Sequence, residues 1–349
     1  MRGQNSLRYP VELWESVIDY CNDPGLRPRV NYPALRACAL VCRNWRSRSQ
    51  FNLLQAVAFS KASQVDLLLQ TIELRPPFAD CIHSIAIDDN ADGYIPFAHP
   101  SLRRLRACMK LDVAAVDWTK YPPTTLDLIP LFTGITDLSL SFDHLAYSAA
   151  FRVVWTIPGL RTLAITGVGK KPIRGTIGES LGALALRRKP NVCVELKTLL
   201  INEPFLSLVD GFPPRGAFGE AITCIQLQVS RRHGISETMR RFIYGGLPQL
   251  DSLQISISEG PRPKGYGLGH TFTGLSSVIP RPGDVFRGRV LHLSLPFDSS
   301  YGASRTEFLN ILHEALLARA QCEIGKEPET EGCFHCNHAS TRVDLHPVD

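Results

Sequence analysis

The chain has no long apolar run. No stretch of its 349 residues approaches the roughly 18 uninterrupted apolar residues of a membrane-crossing helix, so no membrane partner is expected. Nor does one sign of charge dominate: 38 Lys and Arg stand against 33 Asp and Glu, a net charge of +5. So small a surplus makes no case for nucleic acid, and none is expected as a partner. The short basic clusters (Arg103, Arg104 and Arg106; Lys170 and Lys171; Arg187 to Lys189; Arg240 and Arg241) read as solvated faces. The 10 cysteines are too few for a disulfide scaffold. Most, such as Cys38, Cys42 and Cys224, sit in apolar stretches where a free thiol packs as a small hydrophobe. Asn-x-Ser/Thr is absent, and Met1 to Trp14 has no apolar signal core, so the expected location is cytoplasmic or nuclear.

Catalytic and cofactor patterns are also scarce. His313-Glu314 meets Leu317 where a zinc protease would place its second His. No Walker loop occurs, and Gly265, Gly267 and Gly269 follow two prolines and open no clear helix, so they read as a loop. Cys333, Cys336 and His338 have zinc-favoured ligand types. Ligands so close in sequence do not readily share one tetrahedral ion, and no second Cys-x-x-Cys completes the set. They stand as weak metal candidates in a solvated tail, with an exposed redox pair as the other idea. No catalytic residue and no cofactor is assigned, and the chain is not expected to be an enzyme.

Two organisational features are present. Behind Pro10, a residue suited to a helix start, Leu13, Trp14, Val17, Ile18 and Cys21 form one apolar helical face. A turn-rich insert leads to a second helical pattern in which Leu35, Cys38, Cys42 and Trp45 recur, widened by Leu40 and Val41. Arg43, Arg46 and Arg48 close it, with positive charge where a helix C-terminus prefers it. Two helices this apolar need a third element or a partner to cover them.

From Ile82 a six-residue pattern recurs, apolar-x-x-apolar-x-apolar. It starts at Ile82, Ile135, Leu160, Leu196, Ile222, Leu250 and Val290, with a truncated case at Leu102-Arg-Arg-Leu105. Ile135 and Leu160 are 25 residues apart, Leu196 and Ile222 are 26, and Ile222 and Leu250 are 28. The last two apolar positions alternate as a short strand requires, and the first fills the corner entering it. Each unit leaves a strand edge and a core face that only the next can cover. Helical segments are expected before several strands, as at Leu126 to Phe132 and Met239 to Tyr244, and Gly134-Ile135, Gly159-Leu160 and Gly246-Leu247 lead into others. Outward positions such as Thr162, Thr198, Gln226, Gln228 and Gln254 are polar, which suits a protein partner.

The first segment, Tyr9-Pro10-Val11-Glu12-Leu13-Trp14 with Val17-Ile18, then Leu35 and Cys38-Ala39-Leu40-Val41-Cys42-Arg43-x-Trp45, resembles an F-box. It looks most like F-box-like proteins of mushroom-forming fungi, although Tyr9 stands where that family usually has Leu. The later units resemble leucine-rich repeats in spacing, near the roughly 20–29-residue period of that class. The expected fold is α/β. A helical F-box at 7–50 and a helical linker or cap at 51–81 precede an irregular leucine-rich-repeat solenoid at 82–320, and a disordered tail occupies 321–349. The resemblance implies a substrate-recruiting subunit of a ubiquitin ligase, docking on a Skp-type adaptor and through it a cullin, with a target protein held on the repeats. The adaptor contact is then expected from Pro10, Leu13, Trp14, Val17, Ile18, Leu35, Leu40, Val41 and Trp45, some of them serving the internal core instead. The other reading is a repeat-based binding scaffold without ligase coupling.

Overall fold

A parallel strand needs its chain carried back to the same end before the next strand begins. The computed structural model describes residues 11–21, 32–87, 94–141, 145, 147–166, 193–202, 218–230, 240, 242–243, 247, 249–258, 290–297 and 340–347. The chain divides into two units, Met1–Val113 with Asp127–Ile135, and Ala114–Leu126 with Thr136–Asp349.

The first unit opens with helices α1 (Val11–Tyr20), α2 (Tyr32–Val41) and α3 (Arg43–Gln55). The sequence pattern reads as one helix through Trp45, but Cys42 is fully extended (φ −159°, ψ 170°) and separates α2 from α3. Strand β1 (Ala56–Phe59), helix α4 (Ala62–Leu74), strand β2 (Ser84–Ile87) and strand β3 (Lys110–Val113) follow, and the strands pair in parallel in chain order. In α4 the buried residues Val65, Leu68 and Ile72 fall at a three-then-four spacing, one helical face. Its start is fixed by Gln64, whose Oε1 accepts the backbone N–H of Ser60 (2.6 Å) and Lys61 (3.1 Å), one half of a capping box. Pro76 and Pro77 stop it, and the chain turns through a 3-10 segment, Pro76–Cys81, into β2.

The segment expected as a linker or cap therefore carries a repeat. Val57 of β1 lies opposite Ile85 of β2, so Leu54-x-x-Val57-x-Phe59 is a unit of the same kind as Ile82-x-x-Ile85-x-Ile87. Leu111 of β3 also lies opposite Ile85. The third unit is thus Cys108-x-x-Leu111-x-Val113, all three apolar residues buried. Leu102 and Leu105, which the sequence suggested as a truncated repeat, are buried in and just after the 3-10 turn Pro100–Arg104 that precedes it.

The second unit holds β4 (Asp137–Ser141), β5 (Thr162–Thr166), β6 (Thr198–Asn202), β7 (Cys224–Ser230), β8 (Ser252–Ser258), β9 (Val290–Phe297) and β10 (Ser340–Pro347), again parallel and in chain order. Where the chain passes back into the first unit, helix α5 (Thr125–Leu128) gives way to a 3-10 turn, Ile129–Leu131, in which Pro130 interrupts the expected helix. Leu138, Leu163, Leu199, Ile225 and Leu253 lie opposite one another, as do Leu140, Ile165, Ile201, Leu227 and Ile255, and all ten are buried. Behind them helix α6 (Tyr147–Thr156) contributes Phe151, whose ring centroid is 5.4 Å from that of Phe218, which lies 6.2 Å from Phe242. Phe151, Phe218 and Phe242, from the segments that lead into β5, β7 and β8, thus form one aromatic row.

Two sequence expectations change here. Leu291, not Leu293, lies opposite Leu253, so the unit read as starting at Val290 sits two residues earlier. The stretch expected as a disordered tail ends in β10, paired in parallel with β9, while 321–339 lie outside the described residues. Among the described residues no helix is long and apolar enough to cross a membrane.

Candidate functional site

Helix α1 is apolar on more than one face, and its own unit covers only part of it. Ile18 is buried at 1% exposure, and Trp14, one turn earlier, lies half-buried with its ring 5.1 Å from that of Trp45 on α3. Leu35 of α2 is fully buried. These residues join α1, α2 and α3 into a small helical cluster. A charged clasp locks it. Arg48 Nε donates to Asp19 Oδ1 at 2.7 Å, its second nitrogen donates to Oδ2, and Asn52 Nδ2 donates to Oδ1 at 2.9 Å. The bidentate Arg48 guanidinium holds the Asp19 carboxyl below its ordinary value, against a smaller opposing push from burial, and Asn52 adds to the lowering. The Arg48 guanidinium also lies 5.5 Å from the Phe51 ring centroid.

What remains uncovered is a second stripe. Leu13, Val17 and Tyr20 fall at i, i+4 and i+7 on α1 and are all exposed. On α2, Leu40 is 87% exposed and Val41 62%. On α1 the three fall along one face, and an exposed apolar face of a helix is a surface that a partner can cover.

Of the nine residues the sequence singled out, Leu13, Val17, Leu40 and Val41 are exposed. Ile18 and Leu35 are taken up by the internal core, Trp14 and Trp45 are half-buried against each other, and Pro10 lies outside the described residues. Tyr20 was missed; its place one turn beyond Val17 was the available signal. The thiols of Cys21 and Cys38 are neighbours at the α1–α2 junction, and burial first, then Cys21, pushes the Cys38 thiol up.

The outward sheet positions form rows. Thr162, Thr198, Cys224 and Ser252 make one row and Ala164, Leu200, Gln226 and Gln254 the next, so the outward face from β5 to β8 is mixed, with polar residues beside apolar ones. Among the described residues no group of three or more metal-ligating side chains occurs, and Cys333, Cys336 and His338 lie outside them. Gly178-Glu-Ser180-Leu-Gly182 has the Gly-x-Ser-x-Gly spacing of a nucleophile elbow. That motif acts only in a strand–turn–helix context, and these residues too lie outside those described, so no site is built on it. Arg240, read as part of a solvated cluster, is buried at 2% exposure.

Compared with protein-family models and with curated proteins, the chain matches none.

Proposed function

We propose that the chain is an adaptor in which α1 to α3 act as an F-box-like docking segment for a Skp-type protein, and through it a cullin. The parallel repeats, read as an irregular leucine-rich-repeat array, hold a target protein. The role is then substrate recruitment to a ubiquitin ligase in the cytoplasm or nucleus. This chain performs no chemistry and supplies proximity, which raises the effective concentration of the target near the transfer enzyme. One observation carries the reading: Leu13, Val17, Leu40 and Val41 stay exposed on helices whose other faces are already packed. A small helical cluster with a second apolar stripe binds as a helix face laid into a groove. The outward polar residues Thr162, Thr198, Gln226 and Gln254, set among apolar ones, suit a protein target.

The test is co-expression with a Skp-type adaptor and recovery of the pair on one affinity tag. The wild-type chain is expected to carry the adaptor through size-exclusion chromatography, and Leu13→Asp with Val17→Asp is expected to lose it while keeping its circular dichroism spectrum. A wild-type chain that retains no adaptor would defeat the ligase reading and leave a binding scaffold.

A further inference from the structure

A groove of about 970 Å³ lies within the first unit, lined by none of the exposed apolar residues of α1 and α2. The buried side chains of Ile72 and Ala79, with the half-exposed Leu131, supply apolar lining. Arg103, Arg104 and Arg106 line it as well, and Asp80 is the one acidic residue among the lining. All three arginines are exposed, and among the described residues none of their guanidiniums is held in an ion pair.

A basic cluster on a convex surface is ordinarily a solvated face. This one differs in two ways. It lines a concavity whose low-dielectric walls focus the field of three like charges. Its backbone is also closely packed at Arg106, whose N–H donates to the Arg104 carbonyl at 2.8 Å and whose carbonyl oxygen would lie 2.4 Å from a Cβ on Gly134. Cations held on a fixed frame lose less freedom on binding than cations on a mobile loop.

We infer that this groove binds an acidic peptide segment of a partner protein. Carboxylates take the Arg103, Arg104 and Arg106 guanidiniums, and an intervening apolar side chain lies along Ile72, Ala79 and Leu131. Arginine suits this task because its planar fork takes a carboxylate through two parallel hydrogen bonds. The inference goes beyond the adaptor reading and does not need it.

The test uses the full chain and a fluorescein-labelled Glu-Glu-Leu-Glu-Glu peptide in a fluorescence polarisation assay. The peptide is expected to bind, to weaken as salt rises, and to lose affinity when Gln replaces Glu. Arg103→Glu with Arg106→Glu is expected to weaken binding by about tenfold or more. Leu131→Ser is expected to weaken it less and without altering the salt dependence. Should the reversed variant fail to fold, Arg103→Gln with Arg106→Gln serves in its place. No binding by the wild-type chain, or binding equal in the arginine variants, overturns the inference. So does retention by phosphatidylserine vesicles or a short RNA, through these arginines, when the peptide does not bind. The arginine variants are expected to keep any Skp-type adaptor that the wild type holds, so loss of one activity is read separately from loss of the other.

Discussion

Arg48 of α3 holds Asp19 of α1 through two parallel hydrogen bonds, and Asn52 adds a third donor to the same carboxylate. This clasp spans a gap of 29 residues in sequence and ties the ends of the helical cluster together. Its contribution is modest, because both side chains are more than a third exposed, and such pairs are worth about 1 kcal/mol or less. Its pH dependence has a defined direction. A carboxyl held below its ordinary value of 3.8 stabilises the fold fully above that value and loses the contribution as pH falls through the lower folded value. Asp19→Asn is therefore expected to melt lower than wild type at neutral pH, with the gap closing on acidification below about pH 4. Thermal melts followed by circular dichroism across that range read this directly, and a gap independent of pH would remove the ion pair from the account.

The same cluster separates residues that the sequence placed in one set. Leu35 is fully buried and Leu40 is 87% exposed, five residues further along α2. Leu35→Ala is expected to cost about 2–5 kcal/mol through lost burial and a cavity, whereas Leu40→Ala is expected to stay within about 0.5 kcal/mol. Urea unfolding of the two variants checks this. Equal losses would mean that Leu40 is packed in the free protein and is not available to a partner.

Much of the repeat was legible, and its limits have physical causes. The six-residue pattern found β2 and β4 to β8 because their apolar positions fill one row each, misplaced β9, and missed β3 and β10. What the letters could not carry is the backbone register. The carbonyl of the second residue of a unit accepts two N–H groups from the next: Thr136 from Arg161 and Thr162, Arg161 from Lys197 and Thr198, Lys197 from Thr223 and Cys224, and Thr223 from Asp251 and Ser252. His83 accepts from Met109 and Lys110 in the same way, which marks Cys108 as the start of a unit. That unit escaped notice because Cys and Val stand at two of its three apolar positions, and the first, at Leu54, because its strand follows a helix without a break. The misplacement at Val290 has a simpler origin. Leu291, Leu293 and Leu295 alternate, so the last two apolar positions of a unit fit at two places, and the register that pairing selects has Gly288 where the pattern wants an apolar residue. On the helices, an apolar stripe reveals amphipathicity but not which of two adjacent stripes is covered, and so Ile18 and Val17 looked alike.

The buried cysteines give a chemical check on strand placement. Cys108 is fully buried at the start of its unit, and burial pushes its thiol up to about 12. Cys42, at the break between α2 and α3, is exposed. Since the thiolate is the reacting species, iodoacetamide on the native protein near neutral pH is expected to label Cys42 and leave Cys108 unmodified until the chain is denatured. Peptide mass spectrometry resolves the two sites. Native labelling of Cys108 at the rate of Cys42 would contradict the packing of β3.

Two glycines that precede strands look equivalent in sequence and differ in what surrounds them. A Cβ on Gly134 would lie 2.4 Å from the Arg106 carbonyl oxygen and 3.0 Å from that of Cys108, both backbone atoms that cannot swing away. Gly159 has nothing within 4 Å of the same position, and its backbone is outside the left-handed region. Gly134→Ala is expected to destabilise by about 1–3 kcal/mol, since the clash must be relieved by moving chain. Gly159→Ala is expected to be neutral or to stabilise by up to about 1 kcal/mol through a less free unfolded chain. The contrast reaches the groove as well. Moving the Arg106 carbonyl shifts the frame that presents three guanidiniums, so Gly134→Ala is also expected to weaken the acidic peptide while Gly159→Ala leaves it unchanged. Unfolding curves and peptide titrations on the two variants measure both effects, and equal behaviour of the pair would deny Gly134 its structural role.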